Sequence, residues 1–312
     1  MHSRRVGCGI WHAGCVFFPG FTLATVPLST AVTLRVRYGG AGPAVVLLHG
    51  HPRTHTTWYS VAPALAESGF SVVCPDLRGY GQSSGPEPDP DHRNYCDRVM
   101  ATDMVELMSY LGHEKFAIVG HDRGSYVAYR TALDHRDRVT QLAVLDSVPI
   151  VEALQRADAR FAERWWHWFF FSSDHAERVI NADPLAWYRP DRQRMGAENY
   201  DDMCAAVTNP RTVRAMLEDY RAGLHIDREA DEVDRVARRR IACRTLVAWS
   251  SGDDMAELYG DPAQIWKPWC ELPTAQAVIE SGHHMAEENP AQLVDVLRRF
   301  LVGNEPSRGG PT

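Results

Sequence analysis

One ten-residue stretch, Phe116 to Ser125, limits what this chain can become more than any other. The apolar run Phe116-Ala117-Ile118-Val119 ends in Gly120-His121-Asp122-Arg123-Gly124, and a helical pattern follows at once from Ser125 through Leu133. In such a strand–turn–helix context a sharp turn lifts one reactive side chain clear of a sheet. Glycines at 120 and 124 let the turn be tight and let strand and helix approach closely. Asp122 at the apex would sit on strained backbone at a helix N-terminus, where the helix dipole favours its negative charge. Serine is the usual occupant of such an apex; a carboxylate there decides which chemistry is open.

The rest of the chain supplies a sheet for this turn. Residues 22–38 alternate in polarity (Val32, Leu34, Val36, Tyr38), as antiparallel edge strands do. Ala44 to Leu48 is a continuous apolar run, the pattern of a strand buried on both faces. It leads into His49-Gly50-His51-Pro52. Helical patterns at Trp58–Glu67 and Tyr95–Leu111 flank a strand at Val72–Cys74, and further strands are predicted at Leu142–Leu145, Thr245–Trp249 and Ala275–Ile279. Alternating strands and helices predict an α/β fold with a doubly wound, mostly parallel sheet. Between about 150 and 240 strand runs vanish and aromatic residues rise, centred on Trp165-Trp166-His167-Trp168-Phe169-Phe170-Phe171. The predicted organisation is a core of residues 21–150 and 241–302, an inserted helical cap at 151–240, a poorly ordered leader at 1–20 and a flexible tail at 303–312. By itself the aromatic run reads as packing of cap on core.

Composition closes off several alternatives. A formal net charge of −7 argues against nucleic acid or an anionic membrane as the main partner. No apolar run reaches the roughly 18 residues a membrane span needs. The seven cysteines are scattered and form no Cys-x-x-Cys pair, so they read as reduced thiols of a cytoplasmic protein. His49-x-His51 lacks further ligands at metal spacing, so no metal and no cofactor is expected.

Three residues follow apolar strands in the chain order nucleophile, acid, histidine: Asp122, Asp146 and His283. That is the order of the α/β-hydrolase fold. In open α/β sheets, residues at the carboxyl ends of strands converge on one crevice. An aspartate nucleophile suits attack on a saturated carbon: it displaces a leaving group, forms an alkyl ester, and water then cleaves the ester carbonyl. A serine would form an ether that water could not release. His283 is the expected base, oriented by Asp146, with Asp253 and Asp254 as rival acids in a second position. Backbone N–H groups of His51 and Arg123 are the expected oxyanion hole. Ser125 lies beside the apex, not on it, and Asp76 and Arg78 read as structural.

His49-Gly50-x-Pro52, Asp76-Leu77-Arg78-Gly79-Tyr80-Gly81-x-Ser83, Gly120-His121-Asp122-Arg123-Gly124 and Trp166-His167-Trp168 together resemble the fluoroacetate (haloacetate) dehalogenases, from about residue 20 to 302. The resemblance implies a cofactor-independent hydrolase of short 2-haloacids, with a homodimer as a possible assembly. It implies that Arg123 holds the substrate carboxylate and that His167, Trp168 and Tyr220 cradle the departing halide. Three positions depart from the family pattern. Tyr126 stands where a second carboxylate-binding arginine is usual, which removes a donor fork or admits a bulkier or neutral substrate. His51 and Arg53 stand where Phe and Gln are common, and Arg53 could restore a positive charge to substrate binding. His284 replaces a typical aromatic. The same-mechanism alternative is an epoxide hydrolase with Tyr188, Tyr200 or Tyr220 as proton donor; the alternative from another class is a non-catalytic binding protein.

Overall fold

The computed structural model describes residues 17–303. Its centre is one eight-stranded sheet: β1 (Phe21–Pro27), β2 (Thr33–Gly40), β3 (Ala44–Leu48), β4 (Ser71–Pro75), β5 (Phe116–His121), β6 (Val139–Leu145), β7 (Arg244–Ser250) and β8 (Ala275–Ile279). The strand order is β1-β2-β4-β3-β5-β6-β7-β8. The β1–β2 and β2–β4 pairs are antiparallel and all others parallel.

Burial follows the sequence pattern. Every residue of β3 and of β5 is buried. Val45 and Leu47 face a layer containing Val61 and Leu65 of helix α1 (Val61–Glu67) and Leu293 and Leu297 of the last helix, Pro290–Val302. Val46 and Leu48 face the opposite layer, with Met104 and Leu107 of α2 (Asp97–Tyr110) and Val127 of α3 (Arg123–Asp134). A strand covered by helices on both sides has no solvent face, which is why its sequence is apolar without alternation. The helix predicted from Trp58 is divided: a tight 3₁₀ turn at His55–Trp58, capped by the Thr54 side chain, precedes α1.

Among the described residues, no strand interrupts the stretch from β6 to β7, which is a run of helices from Ile150–Gln155 to Arg228–Val236. Most of the segment predicted as a poorly ordered leader lies outside the described residues. Residues 17–20 of it are described, and Phe18 is buried, its ring 5.5 Å from that of Phe21 and 4.9 Å from the Arg37 guanidinium. The tail from residue 304 onward also lies outside them. No described helix is long and apolar enough to cross a membrane.

Candidate active site

The elbow between β5 and α3 has the backbone that its sequence implies. Asp122 has φ 51° and ψ −122°, a conformation in which a non-glycine residue is strained. Its neighbours show why this place needs glycine. A Cβ on Gly120 would strike the Gly124 backbone, and one on Gly124 would strike the carbonyls of Leu48 and His49. Asp122 follows β5, Asp146 follows β6, and Ser250 ends β7; the pairs His121–Leu145 and Leu145–Ala248 set these three strand ends side by side. His283 follows β8 at the next position.

The two oxygens of Asp122 have different tasks. Oδ1 accepts the His51 backbone N–H at 2.7 Å, while Oδ2 lies 3.7 Å from His283 Nε2. Burial would raise the Asp122 pKa, but the nearby His283, the His121 charge and the Arg123 backbone N–H outweigh it and hold the pKa well below the usual carboxylate range. One oxygen therefore already accepts a main-chain N–H as an oxyanion would, and the other faces the cavity as a charged carboxylate oxygen.

The histidine is held on several sides. Its carbonyl accepts from His121 Nε2 at 2.7 Å. Its Nδ1 is 2.7 Å from Asp253 Oδ2 and 3.6 Å from Asp146 Oδ2. Asp146, which the sequence reading put forward as the triad acid, spends its oxygens on Ser250: Oδ1 accepts the backbone N–H at 2.8 Å and Oδ2 the hydroxyl at 2.7 Å. The direct partner of His283 is thus Asp253, the rival acid. Burial opposes a charge on His283, but the carboxylates of Asp122 and Asp146 close by and the hydrogen-bonded Asp253 prevail and lift its pKa well above the usual histidine value. Asp254 accepts the Trp165 indole N–H at 2.8 Å, and burial beside Asp253 pushes its pKa up to about 6.

These groups open into a cavity of about 240 Å³, lined also by His51, Tyr126, His167, Trp168 and Tyr220. Trp168 and Tyr220 are buried, and their indole N–H and phenol O–H form no hydrogen bond with another described residue. Burial lowers the His167 pKa to about 4, so its ring is a neutral N–H donor at pH 7. The helices Trp166–Phe171 and Pro210–Ala222 carry these three donors from above the sheet. The ring of Trp168 lies 6.2 Å from that of Tyr220, and His167 6.0 Å from it. His51 packs among Phe171, Tyr188 and Tyr220, and burial lowers its pKa to about 3.

Two arginines differ from expectation. The Arg123 side chain is buried and does not line the cavity: its guanidinium bonds both oxygens of the Asp219 carboxylate and the Asp219 carbonyl, between the faces of Tyr126 (4.8 Å) and Tyr220 (4.7 Å). Its main chain, not its guanidinium, meets the reacting residue. Arg53 pairs with Glu287 through Nε at 2.8 Å and Nη2 at 3.0 Å and is likewise taken. Glu287 also accepts from Thr57 Oγ1 and from Asn199 Nδ2, both at 2.9 Å, and so ties the histidine loop to helix Ala197–Val207. Of the tyrosines named for epoxide chemistry, only Tyr220 reaches the cavity. Tyr200 stacks on Arg192, and the Tyr188 hydroxyl is buried without a partner among the described residues.

Sequence reasoning missed Asp219, Glu287 and Ser250 as partners. The one available signal was Asp219 beside Tyr220 in Glu218-Asp219-Tyr220. Among the described residues, two groups of side chains come within ligating distance of one another, His121–Asp146–His283 and His55–Asp76–Asp202. The first is the site just described. In the second, His55 bonds Asp76 at 2.7 Å and Arg35 bonds Asp202 at 2.6 Å, so its charges are already paired within the protein.

Residues 43–290 match the model of a family described as the alpha/beta hydrolase fold. The chain is 39% identical over 295 residues to a fluoroacetate dehalogenase of Burkholderia sp, covering 91% of this chain and 95% of the relative. It is 32% identical to a soluble epoxide hydrolase of Corynebacterium sp. (strain C12), covering 84% and 91%. Among solved structures, ALR0039 of Nostoc sp PCC 7120 superposes with a TM-score of 0.87 at 36% identity, covering 92% of this chain and 100% of that one.

Proposed function

The chain belongs to the alpha/beta hydrolase fold family, and from that premise we propose that it is a hydrolytic dehalogenase of short 2-halo substrates, haloacetates among them, acting through an ester on Asp122. The observation that carries this reading is the opposition, across one small cavity, of an ionised aspartate at the elbow and three neutral donors on the helical cap. Asp122 Oδ2 would attack the saturated carbon as the carbon–halogen bond breaks, and the halide would leave toward His167, Trp168 and Tyr220. In a small cavity those donors replace hydration that a leaving anion needs.

Alkylation consumes the charge of Asp122, and with it part of what holds the proton on His283. The histidine then gives that proton, the one the overall hydrolysis releases, to solvent, and its neutral ring takes a proton from water as water attacks the ester carbonyl, to pass it on to the departing alkoxide. Asp122 Oδ1, against the His51 and Arg123 N–H groups, receives the negative charge of the tetrahedral intermediate. Collapse releases the alcohol and restores the aspartate.

A second reading, epoxide hydrolysis through the same ester, is favoured by one observation: Tyr126 and Tyr220 both line the cavity, and neither hydroxyl is bonded to another described residue. A phenol can deliver its proton to an epoxide oxygen where a halide needs only a hydrogen bond. The test is a panel of chloroacetate, fluoroacetate, chloroacetamide and styrene oxide, read for halide and for diol with wild type and Asp122→Asn. Halide release lost in Asp122→Asn supports the dehalogenase. Diol without halide from any halide substrate overturns it in favour of the epoxide hydrolase.

A further inference from the structure

Every guanidinium close to the nucleophile already has a carboxylate of its own. Arg53 pairs with Glu287 and Arg123 with Asp219, both buried. Arg164, the only arginine lining the cavity among the described residues, is half exposed at its rim and pairs with Glu257 at 2.8 Å. The cavity wall itself carries four carboxylates, Asp122, Asp146, Asp253 and Asp254. Against them stands the imidazolium of His283, since His51 and His167 are neutral at pH 7. A substrate anion entering this space would find neutral N–H and O–H donors but no unpaired cation, and several fixed negative charges in a poorly screened pocket.

We propose that the cavity favours uncharged electrophiles over carboxylates, so that the preferred 2-halo substrates are neutral derivatives such as amides, and haloacid anions are the slower ones. This deepens the reading above and rests on it for the reaction, though not for the binding preference. Arg123 is then a positioning residue. Its paired guanidinium, wedged between two phenol rings, fixes where the hydroxyls of Tyr126 and Tyr220 stand. Tyr126, one turn beyond the nucleophile on α3, becomes the specificity-determining residue: it offers the substrate a neutral polar contact at a wall position open to a charged one.

The test separates binding from turnover. Glycolamide and glycolate, neutral and anionic ligands of nearly equal size, are titrated against wild type at pH 7.5 and low ionic strength by NMR, with kcat/KM for chloroacetamide and chloroacetate measured alongside. Glycolamide is expected to bind at least tenfold more tightly than glycolate, and added salt should improve glycolate binding while leaving glycolamide unchanged. Tyr126→Arg, which places an unpaired guanidinium on the wall, is expected to raise the glycolate-to-glycolamide affinity ratio at least tenfold. Should that variant fail to fold, the salt dependence of wild type decides alone. Glycolate binding as tightly as glycolamide, or more tightly, overturns the proposal. Selective glycolamide binding with no halide released from any substrate would sink the dehalogenase reading and leave this one standing.

Discussion

Replacing Asp253 by asparagine isolates the group that orients the base. His283 Nδ1 is 2.7 Å from Asp253 and 3.6 Å from Asp146. At an effective dielectric of about 20, that difference in distance alone makes the nearer carboxylate worth about 1.5 kcal/mol more to an imidazolium. A charge-assisted hydrogen bond contributes about 1.5–3 kcal/mol net. At 1.36 kcal/mol per decade, losing it should slow ester hydrolysis roughly 10- to 150-fold. Alkylation of Asp122 does not draw on the histidine as a base, so Asp253→Asn should still form the ester and then accumulate it. Asp146→Asn keeps the short bond and loses only part of the Ser250 contacts, so its hydrolysis should fall less than about tenfold. Rapid-quench sampling with intact-protein mass spectrometry during turnover of chloroacetamide reads both steps directly. A slower hydrolysis in Asp146→Asn than in Asp253→Asn, or no accumulated ester in Asp253→Asn, would refute the assignment.

Other perturbations test separate parts of the same structure. Tyr220→Phe should slow alkylation by about 10²-fold, the usual cost of one preorganised donor, with ester hydrolysis unchanged in single-turnover traces. In Asp122→Asn the His283 proton should be released at lower pH than in wild type, because one of the three carboxylates that raise its pKa is gone; NMR titration of the imidazole checks the sign. Burial raises the Asp227 pKa to about 7, above its unfolded value near 3.9. Its stabilising contribution is therefore complete at low pH and lost progressively as pH rises to about 7. Asp227→Asn should flatten that part of the curve of melting temperature against pH, measured between pH 4 and 8.

What the sequence discloses, and what it hides, follows from the range over which each interaction is encoded. The strand at Ala44–Leu48 and the elbow are local: apolar continuity and two glycines dictate them, and the structure has them within a residue or so of the reading. Asp122, Asp146 and His283 each follow an apolar strand of the parallel part of the sheet, which brings them to the same edge of it. Pairings between distant segments are not written locally. Arg123 meets Asp219 ninety-six positions away, and Arg53 meets Glu287 at a separation of 234. An arginine beside a nucleophile therefore reads as a substrate anchor until its partner is seen. Choosing between Asp146 and Asp253 turns on less than 1 Å, finer than any spacing in the chain can express. Trp165 to Phe171 reads as one apolar block, yet Trp166 and Phe169 are exposed while Trp168 and Phe171 are buried, because one helix presents the block to solvent and cavity by turns.

Two of the bonds that fasten the helical segment to the rest of the protein are made beside His283, the proposed base. Asn199 donates to Glu287, four positions beyond His283, and Trp165 donates to Asp254, next to the acid that holds the imidazole. Swinging those helices aside to admit or discharge a ligand would loosen both anchors together. Access to the cavity and alignment of the histidine are then one mechanical coordinate. On the proposed mechanism an open molecule would exchange ligand with a slack base, and only the closed one would hydrolyse its ester.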